Sequence, residues 1–364
     1  MSTPRFAAAC KRYGLEPATG ANTDSMTWSD CELIYQSFPK LTTASETIAR
    51  NHTHKPIHID AGFCVNESIN AFATFSTRNE YIIGMNTGVI SRLASAYFAI
   101  FNDCPQFLSK LNILEELSLS KVRIIVDVSL FAAVNWLVSH EIGHILRGHV
   151  DFLQDRRDKK HILKRVTSFF SPTPIPVLAE ARREIPSNDS VAPEFYQFLE
   201  FDADWFAGSR TIDPILHYHG LLARDLSVLI PDRRDLVRIT SLAIYVLLHL
   251  LYGDEDDNLD EWKNTSHPHA EVRLYLFWNI ANTSVREVTN WNVNLRALFF
   301  QDMLEIIREM PDSSVGHLAM RLVRPFELFS SERKEKDALR IVGDHDRFRK
   351  ELEPFAIPLM HDWT

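Results

Sequence analysis

Along the chain, the spacing of apolar positions changes at about residue 117. Before it, residues 68 to 90 carry alternating and β-prone side chains around a polar turn at Ser76 to Asn79, which predicts a β-hairpin. After it the spacing is helical. The stretch Val122 to His149 contains neither proline nor glycine until Gly143 and Gly148, which predicts one long buried helix. Basic residues from Arg156 to Arg165 and prolines at 172, 174, 176 and 186 then predict a mobile insertion over 150–192. Helix should resume at Pro193, whose ring suits a first helical turn, and run through Phe195, Phe198, Leu199, Trp205 and Phe206. A further helix is expected from Asp235 to Tyr252, followed by a solvated acidic run from Asp254 to Glu261. No repeat with a period of about 20 to 50 residues is visible. These elements describe an α+β fold, predominantly helical, with a small sheet and one buried helix. Residues 1–65 form a mixed N-terminal segment, 66–280 the main body with its 150–192 insertion, and 281–364 a helical extension without an interpretable motif.

The buried helix carries the strongest chemical signal, His140-Glu141-Ile142-Gly143-His144. Two imidazoles four residues apart lie on one helical face, close enough to share a zinc ion. The glutamate between them sits beside that face and can take a proton from a water on the metal. At the abundance of His and Glu in this chain, such a pattern arises by chance only about 0.04 times. The bland alternative is a helix whose histidines are satisfied by backbone groups or carboxylates.

A catalytic zinc site needs a third protein ligand and a position left for water. Sixty residues after His140, Leu199-Glu200-Phe201-Asp202-Ala203-Asp204 places Glu200 and Asp204 on one helical face. Glu200 can complete a His, His, Glu set, and Asp204 can accept a hydrogen bond from the far nitrogen of a ligating histidine. Ala203 would let two helices approach closely, whereas Asp202 reads as part of a solvated acidic edge. A third cluster, Ser266-His267-Pro268-His269-Ala270-Glu271-Val272-Arg273, suits a helix start. His267 and Arg273 could stabilise a developing oxyanion there, or Arg273 could serve a surface salt bridge. His149 falls on another part of the helical circumference and reads as a core or capping histidine. His52, His54 and His58 read as surface-loop residues, and His217-Tyr218-His219 is held as a reserve for oxyanion assistance.

The remaining composition narrows the setting. The 364 residues, 45% hydrophobic and 24% charged, are ample for a core, and a net charge of −9 has the wrong sign for a nucleic-acid partner. Cys10, Cys31, Cys64 and Cys104 form no C-x-x-C pair and read as reduced packing residues. No secretory pattern opens the chain, which suggests a cytoplasmic protein. The apolar runs Ile124–Val138 and Ile239–Tyr252 fall short of the ~20 residues of a membrane span. No transmembrane span is therefore expected, with peripheral membrane contact as a minor reading.

The succession Asn70-Ala71-Phe72-Ala73, Gly88, His140-Glu141-Ile142-Gly143-His144, Glu200-Phe201-Asp202-Ala203-Asp204 and His267-Pro268 with Arg273-Leu274 resembles a known gluzincin family. It is the peptidase family of the HtpX heat-shock protease and the CAAX prenyl protease. The resemblance covers about residues 66 to 275 and implies a zincin-like catalytic domain that cleaves a protein or peptide with one zinc ion per chain. It implies His140, His144 and Glu200 as zinc ligands, Glu141 as general base and Asp204 as orienter. His267 and Arg273 would contact the substrate or oxyanion. Asn70, Ala71, Phe72 and Ala73 would belong to an edge strand that receives an extended substrate. The chain also resembles, more faintly, the Lit-type phage-exclusion peptidases, which carry H-E-x-x-H. The rival functions are a zincin-fold binding or regulatory module without turnover, and a zinc hydrolase of small amides.

Overall fold

A computed structural model describes residues 3–12, 14–18, 57–77, 80–103, 119–160, 193–218, 233–252, 270–289 and 345–356, with single positions at 43, 47, 298, 301 and 304. Helix α1 (Pro4–Arg12) is followed by strands β1 (His58–Cys64), β2 (Ala71–Thr77) and β3 (Glu80–Asn86). Helices α2 (Thr87–Asp103), α3 (Leu119–Leu146), α4 (His149–Lys160), α5 (Pro193–Tyr218), α6 (Arg233–Tyr252), α7 (Ala270–Thr289) and α8 (His345–Leu352) complete the described elements. The mostly helical α+β architecture expected from the sequence is present.

The hairpin forms as the alternation requires. β2 pairs antiparallel with β3, and β1 lies parallel to β3 on its other side, giving the order β1-β3-β2. β2 is thus an edge strand among the described residues. Its pairing slips between Phe75 and Thr77, where a bulge increases local twist. Phe72 faces Gly84 across the ladder, and a Cβ at Gly84 would overlap the Phe72 ring. The ring covers the gap that glycine leaves in the strand.

Helix α3 is apolar on most of its circumference and therefore belongs inside the protein. It packs against α2, α5, α6 and the sheet. The helix is longer than the apolar run read in the sequence. Val122–Leu146 is long and apolar enough to cross a bilayer by length and composition, yet 72% of its most apolar window is buried by the chain's own elements. Trp136, Leu130, Val138 and Ile142 join the main core, together with residues of β3, α2, α6 and α7. A second cluster joins Phe152 and Leu153 of α4, Phe195 and Phe198 of α5, and Phe348 and Leu352 of α8.

Two boundaries differ from the sequence expectation. The stretch expected as an insertion from 150 opens with helix α4, whose Phe152 and Leu153 are buried; its remainder, 161–192, lies outside the described residues. Helix α7 runs unbroken through 280, where the main body was expected to end, and α8 packs on α5. Cys10 and Cys64, distant in sequence, are buried with their sulfurs 3.5 Å apart, while Cys31 and Cys104 lie outside the described residues. His58 stands on β1 rather than in a loop, 3.5 Å from Asp60; His52 and His54 are outside the described residues.

Gly148 ends α3 and turns the chain into α4. Its φ of 80° lies in the left-handed region, and its N–H donates to the Ile145 carbonyl at 3.1 Å. A Cβ there would also collide with the backbone of Phe355 and Ala356, just past α8. Gly148→Ala should therefore destabilise the protein by about 1–3 kcal/mol, read as a lower midpoint in thermal or denaturant unfolding.

Candidate metal centre

The residues of H-E-x-x-H leave α3 at its last two turns, opposite α5. Gly143 makes that approach possible. A Cβ at Gly143 would sit 3.2 Å from the Ala203 Cα and 3.3 Å from the Phe206 Cβ, so the glycine and Ala203 let the two helices meet almost backbone to backbone. Ala203, expected from the sequence to allow a close approach, does so against Gly143, and the pair sets the distance across which the ligands converge.

His140 Nε2 and His144 Nε2 lie 3.0 Å apart. The Glu200 carboxylate straddles them, with Oε2 3.4 Å from His140 Nε2 and Oε1 3.5 Å from His144 Nε2. Ligand atoms around a tetrahedral zinc with bonds of ~2.0–2.2 Å stand about 3.3–3.5 Å apart. The two separations to Glu200 fall at that value, the 3.0 Å between the imidazole nitrogens is shorter, and the three residues form a buried to half-buried group able to hold a metal ion.

The far nitrogens are equally engaged. His140 Nδ1 is 2.8 Å from Asp204 Oδ1. Arg273, only 1% exposed, donates twice to Asp204, from Nε and Nη2, both at 2.6 Å. Its guanidinium also lies over the Trp136 ring, which stacks on His140. The sequence placed Arg273 at an oxyanion or on the surface; the structure buries it against Asp204. His144 Nδ1 is 2.9 Å from His149 Nδ1, and His149 Nε2 is 3.1 Å from Asp202 Oδ2. Arg147 Nε stands 3.9 Å from the same Asp202 oxygen.

His149 is a core histidine as expected, but it meets His144 instead of facing away from it, and Asp202 departs from the solvated edge expected of it. Spacing round a continuous helix sends His149 away from His144, but the chain breaks at Gly148 and carries it back. Asp202 reads as solvated in the sequence, yet it is 1% exposed. It interrupts the stripe Phe195, Phe198, Leu199, Phe206, and a carboxylate at such a position needs a buried partner.

The electrostatics follow from burial. Carboxylates at Glu141, Glu200, Asp202 and Asp204 face guanidinium groups at Arg147 and Arg273, a formal excess of two negative charges before any histidine takes a proton. A divalent cation has the complementary charge. Burial opposes a charged His140, but hydrogen bonds to Asp204 and Glu200 outweigh it and lift its pKa to about 9. Without a cation the ring therefore holds a proton, which a metal would displace. Burial raises the Glu141 carboxyl above its ordinary range, against the pull of His140 and His144. Burial likewise lowers His149 to about 4, despite its bond to Asp202.

Of the substrate strand expected at 70–73, Ala71–Ala73 lie on β2 and Asn70 immediately precedes it. Phe72 and Ala73 bury their side chains on opposite faces of the sheet, so the backbone edge is what β2 offers. His267 lies outside the described residues, as does His219; of His217 and Tyr218 only the helical backbone is described. No family model, curated protein or solved structure matches this chain.

Removing the guanidinium would strand Asp204 in the interior. Arg273→Ala should destabilise the fold by about 3–5 kcal/mol in denaturant unfolding, because one partner of a buried ion pair is lost. Arg273→Lys, which keeps the charge but not the paired geometry, should lose less.

Proposed function

We propose that this chain is a zinc-dependent peptide hydrolase with a gluzincin-like, zincin-type core. The observation that carries the reading is the convergence of His140 Nε2, His144 Nε2 and a Glu200 carboxylate within 3.0–3.5 Å of one another, with the buried Glu141 one residue from the first ligand. The family resemblance in four ordered motifs supports the same reading. The three ligands are one carboxylate and two imidazoles, a donor set typical of catalytic rather than structural zinc.

Zinc held there would supply Lewis acidity, acidifying a water and polarising an amide carbonyl. Glu141 would take the proton of the attacking water and return it to the leaving amine. Its burial suits this role, since a raised carboxyl pKa favours both accepting and carrying the proton. Asp204 holds the His140 ring by its far nitrogen, and Arg273 fixes Asp204. In this reading Arg273 serves the substrate through Asp204 and His140, and His267 is left as the candidate oxyanion contact. The β2 edge would receive an extended peptide by main-chain hydrogen bonding.

The test is metal content and cleavage measured on the same preparations. Wild type should bind one zinc ion and cleave members of a broad peptide library. Glu141→Gln should keep the zinc and lose cleavage by about 10²-fold or more, the usual worth of a general base. His140→Ala should lose both. A wild type that holds zinc yet cleaves no peptide would favour the binding-module reading, and one that holds no zinc would end the hydrolase reading. His267→Ala should lower kcat while zinc content stays at one per chain.

A further inference from the structure

We infer that His149 and Asp202 are positioning residues of the metal centre, forming a buried carboxylate–imidazole chain that holds His144 in the tautomer whose Nε2 can bind a cation. The inference rests on the metal-centre reading above and extends it to two residues outside H-E-x-x-H and the ligand set.

The hydrogen-bond directions follow from the donors available. His149 is fully buried and Asp202 is 1% exposed. An ionised carboxylate only accepts, so at 3.1 Å the proton between Asp202 Oδ2 and His149 lies on His149 Nε2. A neutral imidazole has one N–H, so His149 Nδ1 presents a lone pair. Only one proton fits between the two Nδ1 atoms, 2.9 Å apart, and it must belong to His144. His144 Nε2 is then bare, and it is the atom that faces His140 and Glu200. Reversing the chain would put the proton on His144 Nε2 and close the site to a cation. His140 is set more directly, by Asp204 at 2.8 Å. Both ligands thus answer to carboxylates of α5, the helix that also supplies Glu200, and α5 acts as ligand donor and as template for both imidazoles.

The geometry depends on the break at Gly148. In a continued α3, His149 would point away from His144; the left-handed turn folds it back. A merely space-filling His149 would be replaceable by an apolar side chain without consequence for the metal.

The experiment uses the full chain with His149→Leu, His149→Gln and Asp202→Asn, each checked for native helix content by circular dichroism. Zinc affinity is measured by chelator competition, and the ligand field by the visible spectrum of the Co(II)-loaded protein. His149→Leu should weaken zinc binding about 10- to 100-fold, the usual cost of losing an outer-shell partner, and alter the Co(II) spectrum. His149→Gln, which can offer His144 an acceptor and Asp202 a donor, should recover most of the affinity. Asp202→Asn should weaken binding similarly, because the amide can donate to His149 Nε2 and reverse the chain. Should His149→Leu fail to fold, Asp202→Asn decides alone. Wild-type zinc affinity and Co(II) spectrum in the folded variants would overturn the inference and leave the metal centre standing. A wild type that binds neither metal would overturn both.

Discussion

The structure is organised around the cost of burying charge. Asp204 lies almost out of reach of water, and it is tolerable there only because Arg273 grips both its oxygens and His140 meets one of them. The same rule holds on the other side of α5, where Asp202 is partnered by His149 with Arg147 near by. Two guanidinium groups do not neutralise the carboxylates gathered at the α3–α5 contact. The residual negative charge sits where three metal-ligating atoms converge. A cluster of this kind is stable when a cation or protons complete it, and the raised affinity of His140 for a proton is the metal-free expression of that demand.

Packing turns this electrostatic need into a defined shape. The ligand spacing depends on how near α3 and α5 approach, and that is set by Gly143 against Ala203 rather than by the ligands themselves. Around the contact, Trp136 supports the His140 ring on one side and carries the Arg273 guanidinium on its face. Beneath it, the aromatic cluster of α4, α5 and α8 anchors the far end of α5, and the backbone after α8 closes over Gly148. A segment some two hundred residues downstream of the H-E-x-x-H helix thus shapes the turn that aims His149. Ligand identity is local, but ligand orientation is shared across the fold.

Much of this was legible in the residues. The hairpin, the buried helix, the start of α5 at Pro193 and the extent of α6 follow from periodicity and proline placement, because those signals act over a few neighbouring residues. The pair His140 and His144 was legible for the same reason, since helical spacing alone puts both rings on one face. Glu200 and Asp204 were recoverable because they repeat that spacing on a second helix. Their meeting with the first pair across α3 and α5 was an expectation that only the folded chain could bear out.

What the amino-acid order determined by itself is the set of local devices: which segments are helix or strand, which side chains share a face, and where glycine or proline permits an ending. The folded structure alone decided the partners. It buried Arg273 and Asp202, folded His149 back across Gly148 to meet His144, and pressed the end of α8 against that turn. The physical reason is range. Periodicity is enforced by backbone geometry within one turn, whereas the pairing of a buried charge is enforced by desolvation, which acts only after distant segments have excluded water together.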